Sequence, residues 1–177
     1  MMRSTGSPLK RLTADAMLIG AAMMISYLEA ILPLNLVIPL PGIKLGLANL
    51  AVMTAFFVLG VADAAAVSFI RVLLMGMLFG NTVSIVFSVF GALCAFCGLL
   101  AYKYLLNRFI SPLGVSILSA ALHKAGQLLA AGIVLSDGAV IAYAPIMLTA
   151  SVVCGAINGF LLVLIVRALP EVKYNDF

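Results

Sequence analysis

A histidine, a lysine and a glutamine lie near the middle of an otherwise apolar stretch, residues 116–135. This stretch is long enough to cross a membrane, because about 20 helical residues span the hydrocarbon core of a bilayer. An ionisable side chain at that depth costs about 2.5 to 3.5 kcal/mol on insertion scales, so it normally faces a protein interior or a wet cavity. His123 and Gln127 share a helix face, whereas Lys124 is expected to point about 100° away. The pattern predicts a helix that forms one wall of a ligand cavity inside a membrane bundle.

Further cations lie in other apolar stretches. Lys44, Arg71 and Lys124 are all expected between mid-membrane and the outer surface, where Glu29 is the evident anionic partner. Unpaired burial of the excess charge would be costly. An anionic ligand would resolve the imbalance, because arginine offers carboxylate or phosphate a bidentate fork and lysine offers a point charge. We therefore predict that these cations neutralise an anion, which Asn49, His123 and Gln127 orient.

Each of these residues also has a purely structural alternative. Lys44 or Lys124 could extend to the membrane interface, Arg71 could pair with Glu29, and His123 could hydrogen-bond across helices. A second group of polar residues could either line the cavity or bond between helices: Asn49, Asn81, Ser84, Tyr143 and Asn158.

The composition of the chain indicates the class of protein in which these residues lie. The chain has 177 residues, of which 65% are hydrophobic and 9% are charged, whereas soluble domains average about 25% charged residues. We predict an all-α integral membrane protein with one six-span domain at residues 12–168, between polar tails at 1–11 and 169–177. No room remains for a soluble catalytic domain. The predicted spans cover residues 12–32, 43–59, 64–79, 83–102, 113–135 and 140–166.

The basic residues orient these spans. With the N-terminus in the cytoplasm, seven of them fall on the inside: Arg3, Lys10, Arg11, Lys103, Arg108, Arg167 and Lys173. The outer connections then hold none, except for Lys44 at one edge. Because cytoplasmic loops carry an excess of lysine and arginine, we predict that both termini are cytoplasmic and that the proline-rich loop after the first span faces outward.

Small residues four apart mark the first span. Ala16 and Gly20 would allow another helix to approach closely, either within the chain or in a second subunit. The cysteines Cys94, Cys97 and Cys154 are interpreted as small buried hydrophobes, since a metal or redox site would need further ligands or an exposed thiolate.

Sequence motifs that are missing narrow the function. The sequence has no GxxxxGK[ST] motif for binding ATP and no DDxxD pattern for a magnesium diphosphate. We expect no enzyme activity, no cofactor, no metal and no nucleic-acid partner.

Four segments together resemble a known family: SYLEA at 26–30, PGIKLGLANL at 41–50, RVLLMG at 71–76 and LHKAGQLLAAGIVL at 122–135. They are similar to the membrane proteins called heptaprenyl diphosphate synthase component I, or the Gx transporter family, over residues 12–168. That family is similar to the substrate-binding S components of energy-coupling factor (ECF) vitamin transporters, which are six-helix proteins with both termini inside.

The resemblance implies an outward-opening ligand pocket, roofed by the loop after span 1 and lined by spans 4 to 6. It also implies that an Ala-x-x-x-Ala motif, matched here by Ala16 and Gly20, contacts a transmembrane coupling subunit driven by an ATPase pair. Family members commonly carry His-Asn where this chain has His123 and Lys124, and this departure leaves the ligand unidentified.

The sequence therefore predicts an S component in a prokaryotic cytoplasmic membrane. It would capture a small, anionic vitamin or cofactor precursor from outside. Two alternatives stay open: a membrane accessory subunit of an isoprenoid, quinone or flavin-linked electron-transfer system, and a stand-alone secondary carrier.

Overall fold

The computed structural model describes residues 8–31, 46–79, 82–135, 142 and 144–168. This part of the chain is helical throughout, apart from short turns. Its helices are α1 Pro8–Ile31, α2 Asn49–Val58, α3 Val61–Phe79, α4 Thr82–Ala101, α5 Pro112–Leu135 and α6 Ala144–Ala168, and α4 continues into a π-helical turn at Tyr102–Leu106.

Five of these helices are long and apolar enough to cross a membrane. They are α1, α3, α4, α5 and α6, which correspond to five of the predicted spans, and the protein is accordingly a multi-pass membrane protein. Large apolar side chains such as Phe69, Met77 and Leu129 point outward from them, as expected where the surrounding medium is lipid rather than water. The cytoplasmic placement of both termini remains a prediction.

Helix α2 differs from the prediction of a span over residues 43–59. It has ten residues, about 15 Å of helix, or half of the hydrocarbon thickness. Residues 46–48 form a turn instead of helix, in which the Asn49 backbone N–H donates to the Gly46 carbonyl at 2.9 Å. The φ angle of Gly46 is +76°, a left-handed conformation that glycine adopts without steric cost and that interrupts a right-handed helix.

The short helix α2 lies inside the bundle. Six consecutive residues, 51–56, are buried, which is typical of a helix that is apolar on all sides. Its Met53 packs in one core with Val67 of α3, Leu99 of α4 and Leu162 of α6. Because α2 is enclosed in this way, its N-terminal end is placed within the bundle.

Two polar contacts tie α1 to its neighbours. Near one end, Arg11 forms an ion pair with Asp63 in the first turn of α3. Near the other end, the Leu47 backbone N–H donates to Oε1 of Glu29 at 2.6 Å. Arg11, predicted to belong to a tail at residues 1–11, is therefore part of a helix that already begins at Pro8.

Glycines allow α4, α5 and α6 to approach closely. A Cβ at Gly126 of α5 would lie 2.6 Å from the Phe90 carbonyl oxygen of α4, and a Cβ at Gly155 of α6 would lie 2.7 Å from Cα of Ile117. Both distances are far below van der Waals contact, so these helices pack backbone against backbone. Close approach of this kind is the usual way in which membrane helices associate without a hydrophobic driving force.

Candidate anion-binding cavity

An open cavity lies between the six helices. Its empty space, including the solvent at its mouth, is about 790 Å³. The described residues that line it are Ser26, Glu29, Gly46, Ala48, Asn49, Arg71, Val72, Met75, Ser88, Ala120, His123, Lys124, Gln127, Ser151, Cys154 and Asn158.

The cavity brings together five of the six residues predicted to bind the ligand: Asn49, Arg71, His123, Lys124 and Gln127. They come from three different helices that are distant in sequence. The sixth, Lys44, lies outside the described residues, as do Asn81 and Tyr143. Whether the five bind a ligand stays a prediction, but their convergence on one cavity is a property of the fold.

Lys124 lines the same cavity as His123, although helical spacing turns its Cα–Cβ bond about 100° away. Its Nζ donates to Oε1 of Gln127 at 3.2 Å, and both side chains line the cavity together with His123. The reason is the length of the lysine side chain, whose four methylene groups can bend back by one turn although the Cα–Cβ bond points elsewhere. One stretch of α5 thus supplies three polar groups to the cavity.

His123 and Gln127 cross the seam between α4 and α5 at Gly91. A Cβ at Gly91 would lie 2.9 Å from Nε2 of His123 and 3.0 Å from Cγ of Gln127. The two side chains therefore occupy the space that any larger residue at position 91 would fill.

Asn49 begins α2 and is held by α5. Its Nδ2 donates to Oγ of Ser119 at 3.3 Å, which is the interhelical bond proposed as the alternative to ligand contact. The bond and a place on the cavity wall are compatible, because the amide has further hydrogen-bonding capacity.

The start of α2 contributes a positive potential of its own. Gly46, Ala48 and Asn49 line the cavity, and Ala48 occupies the N-cap position without any side-chain hydrogen bond. The N–H groups of Asn49 and Leu50 already donate to the carbonyls of Gly46 and Leu47, at 2.9 Å each. The start of α2 therefore favours an anion through the positive end of its helix dipole and not through free N–H groups. In membrane carriers, broken helices present such ends to anionic substrates within the bilayer.

The two cations of the cavity are deeply buried: Arg71 is 9% exposed and Lys124 is 7% exposed. Glu29 lines the same cavity and attracts Arg71 electrostatically. This attraction agrees in part with the structural alternative, in which Arg71 pairs with Glu29. Since one carboxylate faces two cations, the described wall carries an excess of one positive charge with His123 neutral.

Helix α6 supplies wall residues that sequence reasoning missed in part. Asn158 was a candidate, whereas Ser151 and Cys154 were not; all three lie three or four residues apart on one face and line the cavity. The same spacing relates Ser26 to Glu29 on α1. A polar stripe at helical spacing could have revealed them, but serine and cysteine are too weakly polar to mark a face on their own.

The cysteines are less buried than predicted. Cys97 is exposed on the bundle surface, and Cys94 and Cys154 are half-buried. All three are free thiols, and among the described residues no group of three or more histidine, cysteine or acidic side chains could hold a metal ion.

Ala16 and Gly20 lie away from the cavity, on the outer surface of α1. Both are exposed, and nothing lies within 4 Å of a Cβ built at Gly20. The intramolecular alternative, in which they pack against another helix of the same chain, is therefore not what the described part of the bundle shows.

Comparison with known proteins identifies one family. A family model described as heptaprenyl diphosphate synthase component I matches residues 18–165. No curated protein and no solved structure matches the chain.

Proposed function

This chain belongs to the heptaprenyl diphosphate synthase component I family, and from that premise we propose that it is a membrane-embedded binding component for a small anion. The observation that carries the proposal is the cavity, in which two buried cations and the start of α2 face one carboxylate. The chain itself performs no catalysis under this proposal. It works as the S component of an ECF-type importer, taking a vitamin or cofactor precursor from outside the cell.

Energetics favour binding over a purely structural role for these charges. Ionisable groups at membrane depth are expensive and usually serve a substrate pathway or binding site. Breaking a buried ion pair leaves an uncompensated charge that costs about 3 to 5 kcal/mol, and among the described lining residues two cations face one carboxylate. A bound anion removes that imbalance, so Arg71 and Lys124 neutralise the ligand while Asn49, His123 and Gln127 orient it. Lys44 is assigned the same role from sequence alone.

A partner subunit is the second part of the proposal. Ala16 and Gly20 form a small-residue surface on α1 that is open to another helix. We assign this surface to the transmembrane coupling subunit, which an ATPase pair drives. Its position on the outside of the bundle, away from the cavity, lets ligand binding and docking occur together.

The family name favours a second candidate function. A protein called component I of a heptaprenyl diphosphate synthase would be the membrane accessory subunit of a synthase whose catalytic part lies in another chain. In that case Arg71 and Lys124 would hold a diphosphate. The importer is preferred because one carboxylate among the described lining residues leaves a single positive charge to balance, whereas a diphosphate carries several negative charges.

Native mass spectrometry separates the two. The full chain would be purified gently from its own membranes and its bound subunits weighed. A coupling subunit with two ATPases supports the importer, whereas a prenyl synthase subunit without transport ATPases would replace it by the accessory-subunit function. A bare chain that never carries a partner or a small anion would contradict both.

A further inference from the structure

The cavity wall contains a hydrogen-bond donor without a partner. Nε of Arg71 is buried and makes no hydrogen bond to any residue that the structure describes. A guanidinium has five N–H groups in a fixed plane and can only donate. Leaving such a group unsatisfied in the interior costs more than a typical hydrogen bond gains. Nε of Arg71 on α3 therefore calls for a hydrogen-bond acceptor in the cavity. An anionic oxygen is the strongest acceptor for a guanidinium.

It also contains an acceptor without a partner. Oδ1 of Asn158 is buried and likewise accepts no hydrogen bond from the described residues, although the residue is only 2% exposed. Its orientation is fixed, because Nδ2 donates to the Gly46 carbonyl at 2.9 Å, and a flipped amide would set oxygen against oxygen. The wall therefore requires an N–H or O–H donor at α6.

The charge of the wall limits the ligand in a third way. With Arg71 and Lys124 facing Glu29, the described lining has one positive charge in excess. One negative charge on the ligand neutralises the described lining, and a further negative charge would have only Lys44, which lies outside the described residues, to balance it.

From these three observations we infer the class of the ligand, which deepens the function proposed above and rests on it. The cavity binds a compact acid with one net negative charge that also carries at least one N–H or O–H donor outside its acid group, as in a hydroxy acid or an amide-bearing acid. The anionic oxygens bind Arg71 and Lys124, and the donor binds Oδ1 of Asn158. A prenyl diphosphate, with several negative charges, is the wrong class.

The test measures which small molecule the protein binds when it is offered the metabolite mixture of its own cells. The full chain in lipid nanodiscs would be incubated with a deproteinised metabolite extract of its own cells, washed and denatured, and the released molecules measured by mass spectrometry. Arg71→Gln serves as the binding-deficient reference, and Lys124→Met replaces it if the first variant does not fold. Ser68→Ala, a buried change one turn away on α3 outside the cavity lining, controls for a general disturbance of that helix.

Repeating the chromatography in deuterated solvent counts the exchangeable hydrogens of each enriched molecule. We expect one species enriched roughly five- to hundredfold over the Arg71→Gln reference, the range given by one lost charged contact, with a single negative charge and at least one exchangeable hydrogen beyond its acid proton. An enriched diphosphate, dianion or donor-free acid would overturn the inferred class and leave anion binding intact. The absence of any enriched molecule would overturn the inference and the proposed function together.

Discussion

The imidazole of His123 lies directly over Gly91, at a distance where a methyl group on Gly91 would be 2.9 Å from Nε2. Gly91 therefore determines the shape of the cavity, although it is not one of the lining residues. By leaving the seam between α4 and α5 open, it allows His123, and beside it Gln127, to reach the wall from the middle of α5. A larger side chain at position 91 would fill that space and displace both His123 and Gln127.

Gly91→Ala should therefore weaken ligand binding without unfolding the bundle. We expect a loss of roughly tenfold in affinity for the molecule isolated from the extract, about the contribution of one or two hydrogen bonds. Gly98→Ala is the matched control two turns further along α4, because its Cβ would meet only the flexible end of Leu122, at 2.6 Å. Equal affinities in equilibrium binding measurements on the two variants would show that the position of His123 does not matter.

Cys154 reports the charge of the cavity without any knowledge of the ligand. It lines the cavity as a free thiol, and Cys94→Ser with Cys97→Ser leaves it as the single cysteine. The measured quantity is the ratio of its reaction rates with anionic and cationic methanethiosulfonates. Arg71→Gln should lower this ratio and Glu29→Gln should raise it, each on the order of a hundredfold, because one charge at about 10 Å and an effective dielectric constant of about 20 changes the rate of each reagent roughly tenfold in opposite directions.

A neutral methanethiosulfonate of similar size separates charge from access. Its rate should change far less than the anionic-to-cationic ratio, because it responds only to access and to the thiolate fraction of Cys154, which cancels in the ratio. If Arg71→Gln leaves the anionic-to-cationic ratio unchanged while the neutral reagent reacts normally, Arg71 does not contribute to the potential of the cavity.

The long helices and most of the candidate site could be predicted from sequence, for a physical reason. An ionisable residue inside an apolar span normally faces the protein interior or a wet cavity, which is why Arg71 and Lys124 could be predicted to line one cavity. The short α2 could not be predicted, because the positive φ of Gly46 depends on tertiary contacts such as those of Leu47 and Asn158.

Weakly polar and flexible side chains account for the remaining differences. Burying Ser151 or Cys154 costs little free energy on either face of a membrane helix. Their positions on the cavity wall therefore could not be predicted from the sequence pattern. The long side chain of Lys124 reaches Gln127, its neighbour three residues further along α5, so an offset of about 100° from His123 does not keep its ammonium group off the wall.

Gly155→Ala should destabilise the bundle. The added Cβ would lie 2.7 Å from Cα of Ile117, and backbone atoms of two packed helices cannot move apart without losing contacts along both. Overpacking of this kind costs about 1 to 3 kcal/mol. Gly20→Ala is the control, since its Cβ meets nothing within 4 Å. Thermal unfolding in one detergent, followed by circular dichroism, should show a lower midpoint for Gly155→Ala alone; equal midpoints would mean that α5 and α6 do not pack this closely.

Bulky residues on the outer face of α1 should separate docking from ligand binding. Ala16→Trp and Gly20→Trp place an indole on a surface where the described residues leave open space, so each variant should fold and bind the extracted ligand as the parent does. The indole prevents a second helix from approaching closely. Recovery of the coupling subunit with the tagged chain should therefore fall at least roughly tenfold, as expected when a central contact of an interface is lost.

Leu129→Trp, on the exposed side of α5, controls for the effect of any lipid-facing tryptophan and should leave recovery of the coupling subunit unchanged. If all three variants retain the partner equally, the coupling subunit docks elsewhere; if Gly20→Trp loses the ligand as well, α1 is not an independent docking surface.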